Sequence, residues 1–286
     1  MKHSAAIITD LDNTIYNWID FYAPSFRAMV HVLAKQTNVS ESRITQEFRD
    51  VFFRFGSTEY PFAIQNLNLC STLTSERVRR LVYLGQMAFG RSRRKHLRAY
   101  PGVLETLQWA LKNRIAVVAV TNAPLYLAWR RIERLGLGRF FTGIVAGEDF
   151  PIPGDDVYAR EYQRKLESRP KNLELYLHSS KRKPDPAIYN EIFTIINVPK
   201  ERIWVIGDSV PKDVIPAVAV GAKGVWARYG TIYREDNYKT ILSITHWSEE
   251  QITTTYSRPS AEPMAVVDSF SDLQLLVETD QLSLLI

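Results

Sequence analysis

Cysteine is almost missing from this chain: Cys70 is the only one. A lone thiol closes no internal disulfide and builds no multi-thiolate metal site, which excludes both a disulfide scaffold and a zinc-thiolate module. A reducing compartment is compatible with that usage, and the cytoplasm is the expected location. Cys70 lies in "NLNLCSTL", where no neighbour would activate it, and it reads as a small, partly buried residue, not a nucleophile. Also lacking is any apolar run approaching ~20 residues, so no membrane-spanning helix is expected. The opening "MKHSAAIITD" has no sustained apolar stretch of the kind a signal peptide needs. There is no internal repeat and no low-complexity tract.

What is present is an ordinary globular composition, 45% hydrophobic and 23% charged, in 286 residues. That length suits one large domain, or a domain with a smaller companion. The net charge of +5 fits an anionic ligand without demanding one. The densest basic run, "GRSRRKHLR" at residues 90–98, lacks interleaved aromatics and reads as a solvated helix face. Neither a nucleic-acid nor a membrane partner is expected.

Ile7-Ile8-Thr9 and the alanines before them read as a short buried strand. From there to about residue 97 strand signals are thin. Helical spacing recurs in "FYAPSFRAMVHVLAKQTN" and "SERVRRLVYLGQMAFGRS", and Ser40 reads as a helix N-cap. The aromatics of this stretch fall at helical spacing and read mainly as core, although one or two in "VFFRFGSTEYPF" are candidate substrate contacts. Arg54, within it, is a candidate for a second anionic group of a ligand.

Beyond "YPG" at residues 100–102 strands and helices alternate: "IAVVAVTN", "GIVAGED", "RIWVIGDS" and "GVWARYG" read as strands, separated by helices such as "LYLAWRRIERLGLG" and "DVIPAVAVGAK". The expected fold is therefore α/β, a Rossmann-like doubly wound parallel sheet with a smaller all-helical domain inserted after the first strand. The division expected is residues 1–15 and 100–286 for the sheet domain and 16–99 for the helical one. The stretch 150–182, charged and split by Arg169-Pro170, reads as a solvated excursion or a flap, and residues 233–263 are irregular and polar.

Four strand ends carry polar chemistry: Asp10 and Asp12, Thr121 and Asn122, Glu148 and Asp149, Asp208 and Ser209. Open parallel sheets bind ligands beyond the carboxyl ends of their strands, so four such ends pointing one way make a site.

In order, Asp10-Leu11-Asp12-Asn13-Thr14, Thr121, Lys183-Pro184 and "GDSVPKD" at residues 207–213 give a sequence that resembles the haloacid dehalogenase-like (HAD) hydrolase superfamily, phosphatase type. The helical insert is placed like that family's C1-type cap. The resemblance implies that Asp10 is a nucleophile that forms an aspartyl-phosphate and that Asp12 is the general acid and base. It implies a Mg²⁺ cofactor on the Asp10 carboxylate, the Asp12 carbonyl and the Asp208 carboxylate, with Asp213 a ligand or just behind. Thr121 and Lys183 would complete the catalytic set. Asp10, Leu11, Asp12, Thr121, Asn122 and Lys183 would contact the substrate. An acid at Asp12 argues for phosphoester chemistry over dehalogenation, since a halide leaves without a proton. The expected activity is a phosphatase acting on a small phosphate monoester, a nucleotide or sugar phosphate fitting equally. The alternatives are a phosphoryl transferase or mutase, or a non-catalytic binder of a phosphorylated partner.

Overall fold

The computed structural model describes residues 3–154, 157–167, 175–245 and 263–283. The chain divides into two compact units. The first, Met1–Tyr16 with Ala99–Ile232 and Thr254–Ile286, holds the sheet. Its strands are β1 (Ala6–Thr9), β2 (Ala116–Pro124), β3 (Gly143–Gly147), β4 (Leu175–His178), β5 (Ile203–Gly207), β6 (Lys223–Ala227) and β7 (Ala265–Val267). All pair in parallel, in the order β4-β3-β2-β1-β5-β6-β7.

The sequences AIIT, GIVAG and IWVIG are buried at every position, as strands must be when both faces of a sheet are covered. The helices α4 (Val103–Lys112), α5 (Leu125–Arg134), α6 (Val157–Glu167), α7 (Ala187–Ile196), α8 (Ile215–Ala219) and α10 (Asp272–Ser283) belong to this unit. On one face Ile188, Tyr189 and Ile192 of α7 pack with Ile8, Val118 and Val205 from the central strands. From β1 the chain steps outward through β2, β3 and β4, then returns to lay β5 on the other side of β1. That reversal is the topological switch point at which such sheets place a ligand.

Two expectations change here. The stretch 150–182 is not a plain excursion, because it supplies α6 and the edge strand β4, which pairs with β3. The break at Arg169-Pro170 lies outside the described residues. The single helix expected from "DVIPAVAVGAK" is a π-helical turn, Val210–Val214, followed by the short α8. The wide turn accompanies an inward-facing Asp213, whose Oδ2 accepts the Ser209 N–H at 3.1 Å.

The second unit is Asn17–Arg98 with Tyr233–Thr253. It contains α1 (Trp18–Thr37), α2 (Glu41–Phe55), α3 (Ser75–His96) and α9 (Glu235–Ile244). Asn17 caps α1 by accepting the Asp20 N–H at 2.9 Å, and Ser40 caps α2 through the Arg43 N–H at 3.3 Å. Phe26, Phe48 and Phe52 are buried together between α1 and α2, so these aromatics are core. Arg54 is exposed in the last turn of α2. The basic run closes α3, where cations complement the carbonyl end of the helix. Cys70 is buried, and burial followed by the Glu47 carboxylate pushes its thiol up to about 11, the range of an inert side chain.

Residues 233–245 correct the expected division, which gave everything after 100 to the sheet domain. Asp20 Oδ1 of α1 accepts the Arg234 N–H at 3.2 Å and Asn237 Nδ2 at 2.7 Å. Arg27 donates to Asn237 Oδ1 at 2.7 Å and to Thr240 Oγ1 at 2.6 Å. The attachment combines these polar bonds with the buried Ile241 and Ile244 of α9. No helix of the described residues is long and apolar enough to cross a membrane.

Candidate active site

The site forms within the sheet unit, where β1, β2 and β5 end. Asp10 follows β1 directly, and its N–H is held by the Ile206 carbonyl of β5 at 2.9 Å. The chain then turns sharply. Leu11 is fully buried, and its carbonyl accepts from the Thr14 and Ile15 N–H groups. Asn13 takes the left-handed conformation, φ 59°, that an asparagine tolerates in a turn. Behind it Gly230 comes so close that a Cβ there would stand 1.9 Å from the Asn13 carbonyl oxygen and 2.8 Å from Asp208 Cβ. Tyr229 braces the same turn by donating to the Thr14 carbonyl at 2.7 Å.

Lys183 crosses to this loop from the segment before α7. Its Nζ donates to Asp10 Oδ1 and to Asp213 Oδ1, both at 2.6 Å, and all three side chains are buried. Burial works against the ammonium, but the Asp10 and Asp213 charges outweigh it, and the Lys183 pKa lies well above the ordinary lysine value. Lysine therefore stays charged beside Asp10.

Asp208, at the end of β5, completes a group with Asp10 and Asp213 in which one oxygen from each lies within 4.8 Å of the others. Burial raises the pKa of Asp10, and the Asp213 and Asp12 charges add to it against the pull of Lys183. Asp208 is raised for the same first reason, with Asp10 and Asp213 adding. Three carboxylates thus crowd Lys183, with the Lys212 ammonium also acting on Asp208. An all-oxygen donor set with surplus negative charge is the chemistry that a hard divalent cation such as Mg²⁺ fits.

Thr121 is buried within β2, just before the register with β3 shifts, and its hydroxyl oxygen accepts the Ala123 N–H at 3.1 Å and keeps its own proton to donate. Asn122, expected on the substrate, spends its side chain elsewhere. Its Nδ2 donates to the Lys183 carbonyl and its Oδ1 accepts the Lys183 N–H, both at 2.9 Å. It positions the lysine.

Asp12 stands apart from the three-carboxylate group. Its Oδ1 accepts from Arg131 Nη1 of α5 at 3.1 Å. Arg131, Gly230 and the placement of Tyr16 escaped sequence reading. For Arg131 one signal existed: it lies three residues after Ala128, on the stripe of Leu125, Ala128, Trp129 and Ile132 that α5 buries.

A family model for haloacid dehalogenase-like hydrolases matches residues 5–221, and a second, HAD-hydrolase-like, matches residues 181–273. A phosphoglycolate phosphatase from Pseudomonas fluorescens (strain Pf0-1) is 28% identical over 131 residues, 46% of this chain and 37% of that protein. The chain thus spans well under half the length of that relative. A glyceraldehyde 3-phosphate phosphatase from Methanopyrus kandleri is 22% identical over 228 residues, 79% of this chain and 84% of that one. A solved haloacid dehalogenase-like family hydrolase from Xanthomonas campestris shares the fold, with a TM-score of 0.56 at 18% identity over 99% of this chain and 98% of its own. With every residue from Asp10 to Asp213 inside the first family match, the chain belongs to the haloacid dehalogenase-like hydrolases.

Proposed function

We propose that this hydrolase is a Mg²⁺-dependent phosphatase that cleaves a small phosphate monoester through an aspartyl-phosphate on Asp10. The observation that carries this reading is the division of labour between two carboxylates two residues apart. Asp10 is buried on Lys183 among Asp208 and Asp213, while Asp12 sits outside that group on Arg131. The first has a nucleophile's setting. The second is placed for proton work, which a halide leaving group would not require.

In the first step an Asp10 oxygen bonds to phosphorus and the bond from phosphorus to the leaving oxygen breaks. Asp12 hands its proton to that oxygen. In the second, water attacks the same phosphorus, Asp12 takes the proton, and the bond to Asp10 breaks to free phosphate. Such general acid–base help is worth roughly 10²–10⁴-fold. Lys183 and the Thr121 hydroxyl are set to hold the phosphoryl oxygens. The carboxylates of Asp10 and Asp208 and the Asp12 carbonyl would hold Mg²⁺, which when bound supplies charge neutralisation for the incoming dianion. Asp213 has one oxygen on Lys183 and the other on the Ser209 N–H, which supports a place behind the ligands.

The helical unit would serve as the cap that chooses the substrate, with Arg54 a candidate contact to a second anionic group. The two relatives are named for phosphoglycolate and glyceraldehyde 3-phosphate, both small phosphate esters of aliphatic alcohols, and this chain is assigned the same broad substrate class. The test is phosphate release from a panel of small esters, with Mg²⁺ or with chelator, by wild type and Asp10→Asn. Release that needs both the metal and Asp10 supports the reading. A folded, Mg²⁺-loaded protein that releases none would overturn it in favour of transfer chemistry or of binding without turnover.

A further inference from the structure

Arg131 is a buried cation that nucleophile, metal and phosphate do not call for. Its side chain is 6% exposed, against 26% for the Asp12 side chain it holds. Nη1 lies 3.1 Å from Oδ1 and 3.5 Å from Oδ2 of that carboxylate, so one guanidinium nitrogen spans both oxygens. The fully buried Tyr16 packs into the same cluster. Burial first, then the Asp12 charge, raises its pKa well above the ordinary tyrosine value while Arg131 opposes, so the phenol stays neutral and bonds the same Asp12 carboxylate. Arginine stays protonated in proteins, and a planar guanidinium held in a buried setting ties a carboxylate in place as well as in charge. Burying a guanidinium is costly unless it is well paired. Here the pair joins α5 to the one carboxylate that must present a free edge to the reaction.

We infer that Arg131 is a positioning residue that aims the Asp12 carboxyl at the leaving-group oxygen, and that the site is thereby built for esters whose alcohol cannot depart without a proton. The inference rests on the phosphatase reading above. Within it, Arg131 matters in proportion to the need for proton delivery. An alkyl phosphate needs it, whereas p-nitrophenyl phosphate, which releases a stable phenolate, scarcely does. A residue that merely kept the fold together would affect both alike.

The experiment compares kcat and KM for glycerol 3-phosphate and p-nitrophenyl phosphate in wild type, Arg131→Met, Asp12→Asn and the double variant, all with Mg²⁺. Arg131→Met is expected to lower kcat on the alkyl ester about 10²-fold and on the aryl ester less than about threefold, with KM little changed. In the Asp12→Asn background the same substitution should add less than about twofold. Should the methionine variant fail to fold, Arg131→Lys keeps a buried charge but loses the planar guanidinium, and it must separate the two esters in the same direction. Equal loss on both esters, or full loss on top of Asp12→Asn, overturns the positioning role while leaving the phosphatase standing. Wild type that hydrolyses neither ester overturns the phosphatase reading, and the inference with it.

Discussion

Asn122 and Lys183, 61 residues apart, hold each other through two hydrogen bonds: the Asn122 amide donates to the Lys183 carbonyl and accepts the Lys183 N–H, both at 2.9 Å. β2 thereby sets the backbone from which the Lys183 ammonium reaches Asp10. Asn122→Ala leaves both backbone groups of Lys183 without these partners, a change worth about 1–3 kcal/mol when the groups stay dry. The expected result is a fall in kcat of about 10- to 100-fold, larger than any rise in KM, read by steady-state phosphate release.

Gly230 offers a steric test of the same loop. A methyl group there would overlap the Asn13 carbonyl and press on Asp208. Gly230→Ala must move the turn that carries Asp12, and overpacking of this kind typically costs about 1–3 kcal/mol. Thermal unfolding should show the loss of stability, and activity measured well below the midpoint should fall with it.

The crowded carboxylates give a pH test. Burial raises Asp10 and Asp208 above the ordinary value of 3.8. A raised carboxylate adds stability that is complete below its unfolded value and is lost as pH climbs through the folded one. Metal-free protein should therefore lose stability as pH rises from 3.8 through those raised values. Mg²⁺ should restore it at neutral pH, by about 2.7 kcal/mol at a hundredfold excess over Kd. Melting curves with chelator and with Mg²⁺ at pH 5 and pH 8 check the sign. Asp208→Asn should flatten the pH dependence and shrink the Mg²⁺ shift.

Asn237 tests how α9 is held. It is buried, and it links Asp20 and Arg27 of α1. Asn237→Ala should destabilise the helical unit by about 1–3 kcal/mol, measured as a lowered urea midpoint.

The sheet was legible because a doubly covered parallel strand has to be an apolar run, and AIIT, VVAVT and IWVIG are such runs ending in polar residues. The site was legible where chemistry is local, as in Asp10 and Asp12, or where a short pattern repeats a family's, as in Lys183-Pro184. Other parts answer to distant contacts. Arg131 falls on the buried stripe of α5, but only Asp12, 119 residues away, shows what a charge does there. β4 is four residues long in a charged stretch, and its pairing with β3 decides its nature. The bonds from the Asn122 side chain to the Lys183 backbone, 61 residues away, had no local signal, because a side-chain amide can serve a ligand or a neighbouring backbone equally well.

The helical unit starts at Asn17, yet Asp20 takes its bond from Asn237 217 residues later. As the ribosome delivers the chain from its amino end, α1 and α2 emerge early and then wait while the whole run from β2 to β6 is synthesised. The loop that must close over this gap carries an entropic toll that grows only slowly with length, so the delay lies in timing more than in equilibrium. A nascent chain halted before residue 235 should hold these helices with a bare polar seam. Chaperone capture or misassembly would be concentrated in that interval.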